Sequence, residues 1–290
     1  MKDDIDRGTD TDTAHCDRDS TDAYFQRSVR FVLIRHARTE HNKLGIIQGQ
    51  LDTEVDEEGT KEITRLTKRL IDMSLKEKKR IVKIYSSDLK RCFVTAKRCC
   101  DGLNECDYER GDDVEKKMIE LERTTMLRER NVGSLQGLTR KEASRDMKEA
   151  WNVFCMSKQD IKLRCLGDLG ESVEDVLLRV KSCIESIAQK FMDENDDDDE
   201  DDGETNCPRN SIVVCIVTHA GVLLLIREHL CAEDESGEKN RGIVRNCSIG
   251  EVDLVFRKKK ERTNEKYALQ KWVCKKWGTV DERGTADVFL

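Results

Sequence analysis

The 290-residue chain predicts an α/β fold, a three-layer sandwich with a mostly parallel central sheet flanked by helices. Three observations carry that expectation. Short apolar runs alternate with segments of helical period along the chain. One segment, "ESVEDVLLRVKSCIESIAQKF", carries Val173, Val176, Leu177, Val180, Ile184 and Ile187 as one stripe behind a Ser172–Asp175 capping-box pattern. Two of the apolar runs, "FVLIRHAR" and "VCIVTHAG", end alike in a polar residue, a histidine and an alanine.

In chain order, "RFVLIRH" is a buried strand followed by a polar loop. In "DEEGTKEITRLTKRLIDMSL", Ile63, Leu66, Leu70 and Ile71 recur at helical spacing. "RIVKIYSSD" is the second strand and "SDLKRCFVTAKRCC" a helix with Ser87 or Asp88 as its N-cap. "KKMIELERT" is a third strand, and "LTRKEASRDMKEAWNVF" a helix starting at Thr139. After the helix at 172, "SIVVCIVTHAGVLLLIREHL" is a strand running straight into a helix. "CSIGEVDLVFRK" and "YALQKWVCKK" alternate like a closing pair of strands.

Composition bounds the rest. Charged residues make up 38% of the chain and hydrophobic ones 37%, polar for a globular protein. Residues 1–28 are acidic and poor in large apolar side chains, and are expected to be a disordered tail. The folded body is expected over 29–276, with a disordered acidic insertion at 193–209 and a C-terminal tail at 277–290. The insertion holds ten acidic residues between Asp193 and Glu204, so it alone accounts for the net charge of −7. Self-repulsion extends such a run as a solvated loop. Thirteen cysteines, an odd number with no C-x-x-C pair, read as reduced thiols packed as small hydrophobes. The aspartate-rich N-terminus does not read as a signal peptide, and no apolar run has the length of a membrane span. A soluble, cytoplasmic protein is expected, without a membrane or nucleic-acid partner; protein partners are unread.

The two strand-end histidines, His36 and His219, set the functional expectation. Ligands in open α/β sheets bind beyond the carboxyl ends of the strands. One such histidine is ordinarily structural; two in matching contexts, the first preceded by Arg35, mark a site. Arg91 lies near the start of a helix that follows a strand end, and Glu129 stands between arginines in "LRERNVGSLQG". Two arginines and two imidazoles around one dianion are the parts phosphoryl transfer requires, since the protein's task there is positioning and charge neutralisation. A neutral imidazole can attack phosphorus, and a carboxyl group can protonate the leaving oxygen. The absence of a G-K-[ST] phosphate loop argues against a kinase.

These segments also carry a resemblance. "LIRHARTEHN", "SSDLKRCFVTA", "LRERNVGSLQG", "GESVEDVLLRV" and "IVTHAGV" resemble, in order, the motifs of the histidine phosphatase (phosphoglycerate mutase-like) superfamily across about residues 30–255. "NKLGIIQGQLDTEVDEEG" is similar to the TIGAR-type fructose-2,6-bisphosphatases. The resemblance implies that His36 is the phosphorylated nucleophile and Glu129 the proton donor. It implies that Arg35, Arg91 and His219 bind the phosphoryl group and that Thr39, Asn42, Gln48, Gly49 and Ala220 contact the substrate, a small phosphorylated metabolite. No metal or other cofactor is implied. Mutases of the superfamily shield the phosphohistidine with a proline-bearing lid; the single proline here, Pro208, lies in the acidic run, so hydrolysis is expected over transfer. The alternatives are mutase-type phosphoryl transfer and a non-catalytic phospholigand-binding scaffold. Two departures stand out. The family usually has glycine where Ala37 and Ala220 stand, and often glutamate where Arg38 stands; Arg38 reads by default as a solvated side chain, and as a second reading would suit a second phosphate on a bisphosphate.

Overall fold

The β-branched and aliphatic run at the start of the body forms β1 (Gln26–Arg35), and its alternation explains the layers. The structure, a computed structural model, describes residues 26–76, 81–106, 118–194, 212–237, 244–259 and 267–279. After β1 come α1 (Glu40–Leu44), α2 (Glu57–Lys76), β2 (Ile81–Ser87), α3 (Lys90–Glu105) and β3 (Glu120–Thr124). Two short helices, α4 (Arg140–Asp146) and α5 (Lys148–Met156), precede the long α6 (Val173–Glu194). The chain closes with β4 (Ile212–Thr218), α7 (Ala220–Leu225), β5 (Cys231–Asp234), β6 (Ile249–Lys258) and β7 (Tyr267–Thr279).

The sheet order is β3-β2-β4-β1-β6-β7-β5. β3, β2, β4 and β1 are mutually parallel, β6 is antiparallel to both β1 and β7, and β5 is parallel to β7. The sheet is therefore mixed and mostly parallel, as expected. Successive strand residues point to opposite faces. Val29, Phe31 and Leu33 pack with Val214 and Ile216 against α6 and α7; Val32 and Ile34 pack with Val213, Cys215 and Val217 against α2 and α3. Burying each such side chain contributes about 1.5–3 kcal/mol, so β1 and β4 anchor both cores at once.

The α6 stripe is buried as predicted, apart from a half-buried Leu177, and Ser172 and Asp175 exchange the two capping-box hydrogen bonds. Thr139 likewise caps α4 with Glu142. The helix predicted from Thr139 onward is in fact two, broken at Met147, whose backbone leaves the helical region. The predicted N-cap of α3 is corrected. Leu89 occupies that position, and the first free N–H, that of Lys90, is satisfied from a distant loop by Asp52 at 2.7 Å. Asp88 instead forms a two-pronged pair with Arg128. α1 and β5 escape a periodicity reading because they span five and four residues. Strands β1 and β7 reach Gln26 and Thr279, so described structure extends past the 29–276 expected for the body. Asp193 and Glu194 belong to α6. Residues 26–28 and 277–279 of the expected tails lie in β1 and β7, while the rest of both tails and of the acidic insertion falls outside the described residues. Among the described residues, no helix is long and apolar enough to cross a membrane.

Two described non-glycine residues, Leu169 and Cys247, have positive φ. Leu169, at φ 59° and 83% exposed, gains little from its side chain. Leu169→Gly is expected to raise the urea-unfolding free energy by about 0.5–1 kcal/mol through relief of left-handed strain; an unchanged or lower midpoint would show that the turn bears no such strain.

Candidate active site

Parallel pairing brings the two histidines together. Arg35 stands opposite Thr218 in the β1–β4 ladder, and the His36 N–H continues it to the Thr218 carbonyl at 2.9 Å. His36 and His219 therefore leave adjacent strands at the same sheet edge, their ring centroids 5.3 Å apart and tilted by 59°. Both are buried.

One hydrogen bond assigns the His36 tautomer. A carbonyl can only accept, so the 2.8 Å contact between His36 Nδ1 and the Ala37 carbonyl places the ring proton on Nδ1. Nε2 keeps its lone pair. His219 Nε2 lies 3.0 Å from Ser87 Oγ, which accepts from the Leu89 N–H at 3.4 Å and can still either donate to the ring or accept from it. Burial, chiefly, and then the charges of Arg91 and Arg35 hold His36 well below the usual imidazole range. Burial and Arg91 do the same for His219. Both rings are neutral at physiological pH, as a nucleophilic imidazole must be.

The two arginines are buried as well, each 1% exposed. Arg91 is held by carbonyls: its guanidinium donates to Leu51 at 2.7 Å and Gly49 at 2.8 Å, and burial lowers its pKa. Arg35 donates to the Val244 carbonyl at 2.6 Å. Glu129 sits beside His219 through the following helix, its Oε2 accepting from the Gly221 N–H and its Oε1 from the Arg130 N–H, both at 3.0 Å. The five residues expected to do the chemistry thus converge on the C-terminal ends of β1, β2 and β4.

The substrate-contact residues divide. The Gln48 side-chain oxygen is consumed by Thr53 at 2.6 Å and Thr39 at 3.2 Å, and that of Asn42 by Thr39 and Asn246. Each amide is thereby turned so that its NH2 end remains as a donor, suited to an anion. Gly49 has φ 51°, and a Cβ there would run into the Gln136 side chain. Thr39 is fully buried, capping α1, so it acts behind Asn42 and Gln48. Arg38, read as a solvated side chain or as facing a second phosphate, is paired with Asp56 at 2.8 Å. Among the described residues, no three His, Cys, Asp or Glu side chains are grouped to hold a metal ion.

The alanines resolve simply. Neither Ala37 nor Ala220 has positive φ. Ala37 is fully buried with its N–H on Thr95 Oγ1 at 3.0 Å, and Ala220 opens α7 after an extended His219. A methyl group is accommodated at both. The intolerant position is the next one: a Cβ on Gly221 would lie 2.4 Å from Glu129 Oε1. Sequence reading also missed Ser87 as the partner of His219. It missed Asn246, whose amide donates to the His36 carbonyl at 2.9 Å across 210 residues. Nothing local in the sequence signals either contact.

Two outcomes follow from this geometry. Gly221→Ala is expected to displace the Glu129 carboxylate and lower kcat/KM at least about tenfold with the melting temperature nearly unchanged; equal activity would mean Glu129 is not set by that contact. In proton NMR, the His36 and His219 ring signals should not titrate near pH 6.5. Because the folded pKa values lie below the unfolded value, only the unfolded chain takes up these protons as pH falls below about 6.5, and stability drops in that direction. A His36 signal titrating at 6.5 in the ligand-free protein would contradict the buried, neutral ring.

Comparison with known proteins identifies the family. The description of the histidine phosphatase superfamily, branch 1, matches residues 31–266. The chain is 29% identical to the metal-independent phosphoserine phosphatase of Arabidopsis thaliana over 254 residues, covering 86% of this chain and 81% of that one. It is 27% identical to a broad-specificity phosphatase of Saccharomyces cerevisiae, covering 83% and 84%. The fold matches that of mycobacterial glucosyl-3-phosphoglycerate phosphatase with a TM-score of 0.60 at 22% identity, over 88% of this chain and all of the other. The chain belongs to branch 1 of the histidine phosphatase superfamily.

Proposed function

We propose that this chain is a phosphomonoester hydrolase working through a phosphohistidine at His36. The observation that carries the reading is the His36 tautomer: Nδ1 is fixed on a carbonyl, Nε2 is free and neutral, and Arg35 and Arg91 stand beside it. In the first step the Nε2 lone pair forms a bond to phosphorus as the ester P–O bond breaks. Glu129 gives its proton to the leaving oxygen. The His219 ring and the two arginines stabilise the transferring group. In the second step Glu129 takes a proton from water, whose oxygen bonds to phosphorus as the N–P bond breaks. Orthophosphate leaves and the imidazole is restored.

The sugar-bisphosphate specificity expected from the resemblance of the loop that begins at Asn42, with fructose-2,6-bisphosphate as its named case, loses one support because Arg38 is paired with Asp56. A small phosphorylated hydroxy or amino acid is favoured instead, in keeping with the name of the phosphoserine phosphatase relative above. The described cysteines are all free thiols, which suits the reducing, cytoplasmic setting expected. The test is phosphate release from phosphoserine, 3-phosphoglycerate, fructose-2,6-bisphosphate and 2,3-bisphosphoglycerate, compared by kcat/KM. The wild type is expected to prefer the monophosphates, and His36→Ala to lose at least about 10³-fold. Preference for fructose-2,6-bisphosphate would restore the bisphosphatase reading, rapid 2- to 3-phosphoglycerate exchange would indicate a mutase, and equal release by His36→Ala would leave a binding module.

A further inference from the structure

The loop that carries Glu129 has few ladder partners for its backbone, yet it must hold a carboxyl group to within a fraction of an ångström. One side chain supplies most of what is missing. Arg179, from α6, donates to the carbonyls of Met126 at 2.8 Å, Arg128 at 2.7 Å and Glu129 at 3.1 Å. The same guanidinium makes a two-pronged pair with Glu171 at 2.9 and 3.0 Å. Glu171 then reaches the far side of the loop, accepting from the Asn131 N–H at 2.8 Å. Its Oε2 also accepts from the Gln50 side chain at 3.2 Å, which donates in addition to the Glu129 carbonyl at 3.0 Å. Gln50 stands between Gly49 and Leu51, whose carbonyls hold Arg91.

We propose that Arg179, Glu171 and Gln50 form a positioning hub that fixes the proton donor Glu129 in register with the phosphate-binding Arg91. The proposal rests on the reading of Glu129 as the acid. None of the three need touch substrate; they act through the backbone on either side of Glu129 and through the loop at Gly49 and Leu51 whose carbonyls hold the Arg91 guanidinium. The planar guanidinium alone has the geometry for the task, because three carbonyls and a carboxylate edge lie within reach of its fixed fork of donors. A lysine keeps the charge but can serve only part of that set. The ion pair is also mostly shielded, its side chains 14% and 17% exposed, so its geometry is not left to solvent.

A merely structural role would lower all activity alike, whereas a misplaced acid matters only when the leaving group needs a proton. Nitrophenolate departs as an anion; an alkoxide does not. The experiment compares kcat/KM for p-nitrophenyl phosphate and for the alkyl phosphate best hydrolysed in the panel above, using wild type, Arg179→Lys, Glu129→Gln and the double variant. Arg179→Lys is expected to lose about 100-fold on the alkyl ester, the effect of a misplacement near 1 Å, and less than about fivefold on the nitrophenyl ester. Glu129→Gln should show the same selectivity, and the double variant no further loss. Equal losses on both esters, or losses that multiply in the double variant, would overturn the hub while leaving the phosphatase reading intact. A Glu129→Gln variant without selectivity would overturn the acid assignment and the hub with it. If circular dichroism shows Arg179→Lys unfolded, Gln50→Leu, which removes only the link between the two loops, is read by the same criterion, with a selective loss of about fivefold or more expected.

Discussion

The hydrogen bond from His36 Nδ1 to the carbonyl of the next residue is what the rest of the site depends on. It decides which ring nitrogen is free and aims that nitrogen outward from the sheet edge. Burial then keeps the ring uncharged, which a solvent-exposed imidazole near neutral pH would not be. Two buried guanidinium groups beside it make protonation costlier still. Arg91 is lined by carbonyl dipoles, which engage both of its terminal nitrogens without cancelling its charge. The outcome is a small electropositive region whose proper counterion is the phosphoryl group itself.

Space is allotted around that region atom by atom. The methyl groups of Ala37 and Ala220 fit because the first residue runs on from a strand end and the second starts a helix, so neither needs a left-handed backbone. The restriction falls one residue later, where the Gly221 N–H approaches the Glu129 carboxylate. A rule about glycine after the histidine thus becomes a rule about what stands above the peptide. Arg38 gives a parallel case, since the cation's place in the chain says nothing about the carboxylate it meets in space.

Much of this was legible beforehand, for a physical reason. β1 and β4 are continuous apolar runs, buried on both faces as central parallel strands are, α6 writes its burial into a period of 3.6, and the matched histidines sit where parallel strands must release them. The illegible parts are contacts between distant segments made by ordinary polar residues. Asp52 caps α3 from 38 residues away, Ser87 orients His219 across 132, and Asn246 holds the His36 carbonyl across 210. None of these leaves a local pattern. The break at Met147 between α4 and α5 belongs to the same class, because a continuous helical period does not reveal where the chain must bend.

The order of the strands carries a last implication for how the molecule comes into being. β1 stands between β4 on one side and β6 on the other, and each contributes a wall of the site at the same edge. Those walls come from opposite ends of the chain, so no early, local piece of structure can contain them. Long-range pairing of this kind is the slow part of folding. A collapsed chain with all its helices formed would still be inert, and recovery of turnover after denaturation reports the joining of the chain's two ends rather than its compaction.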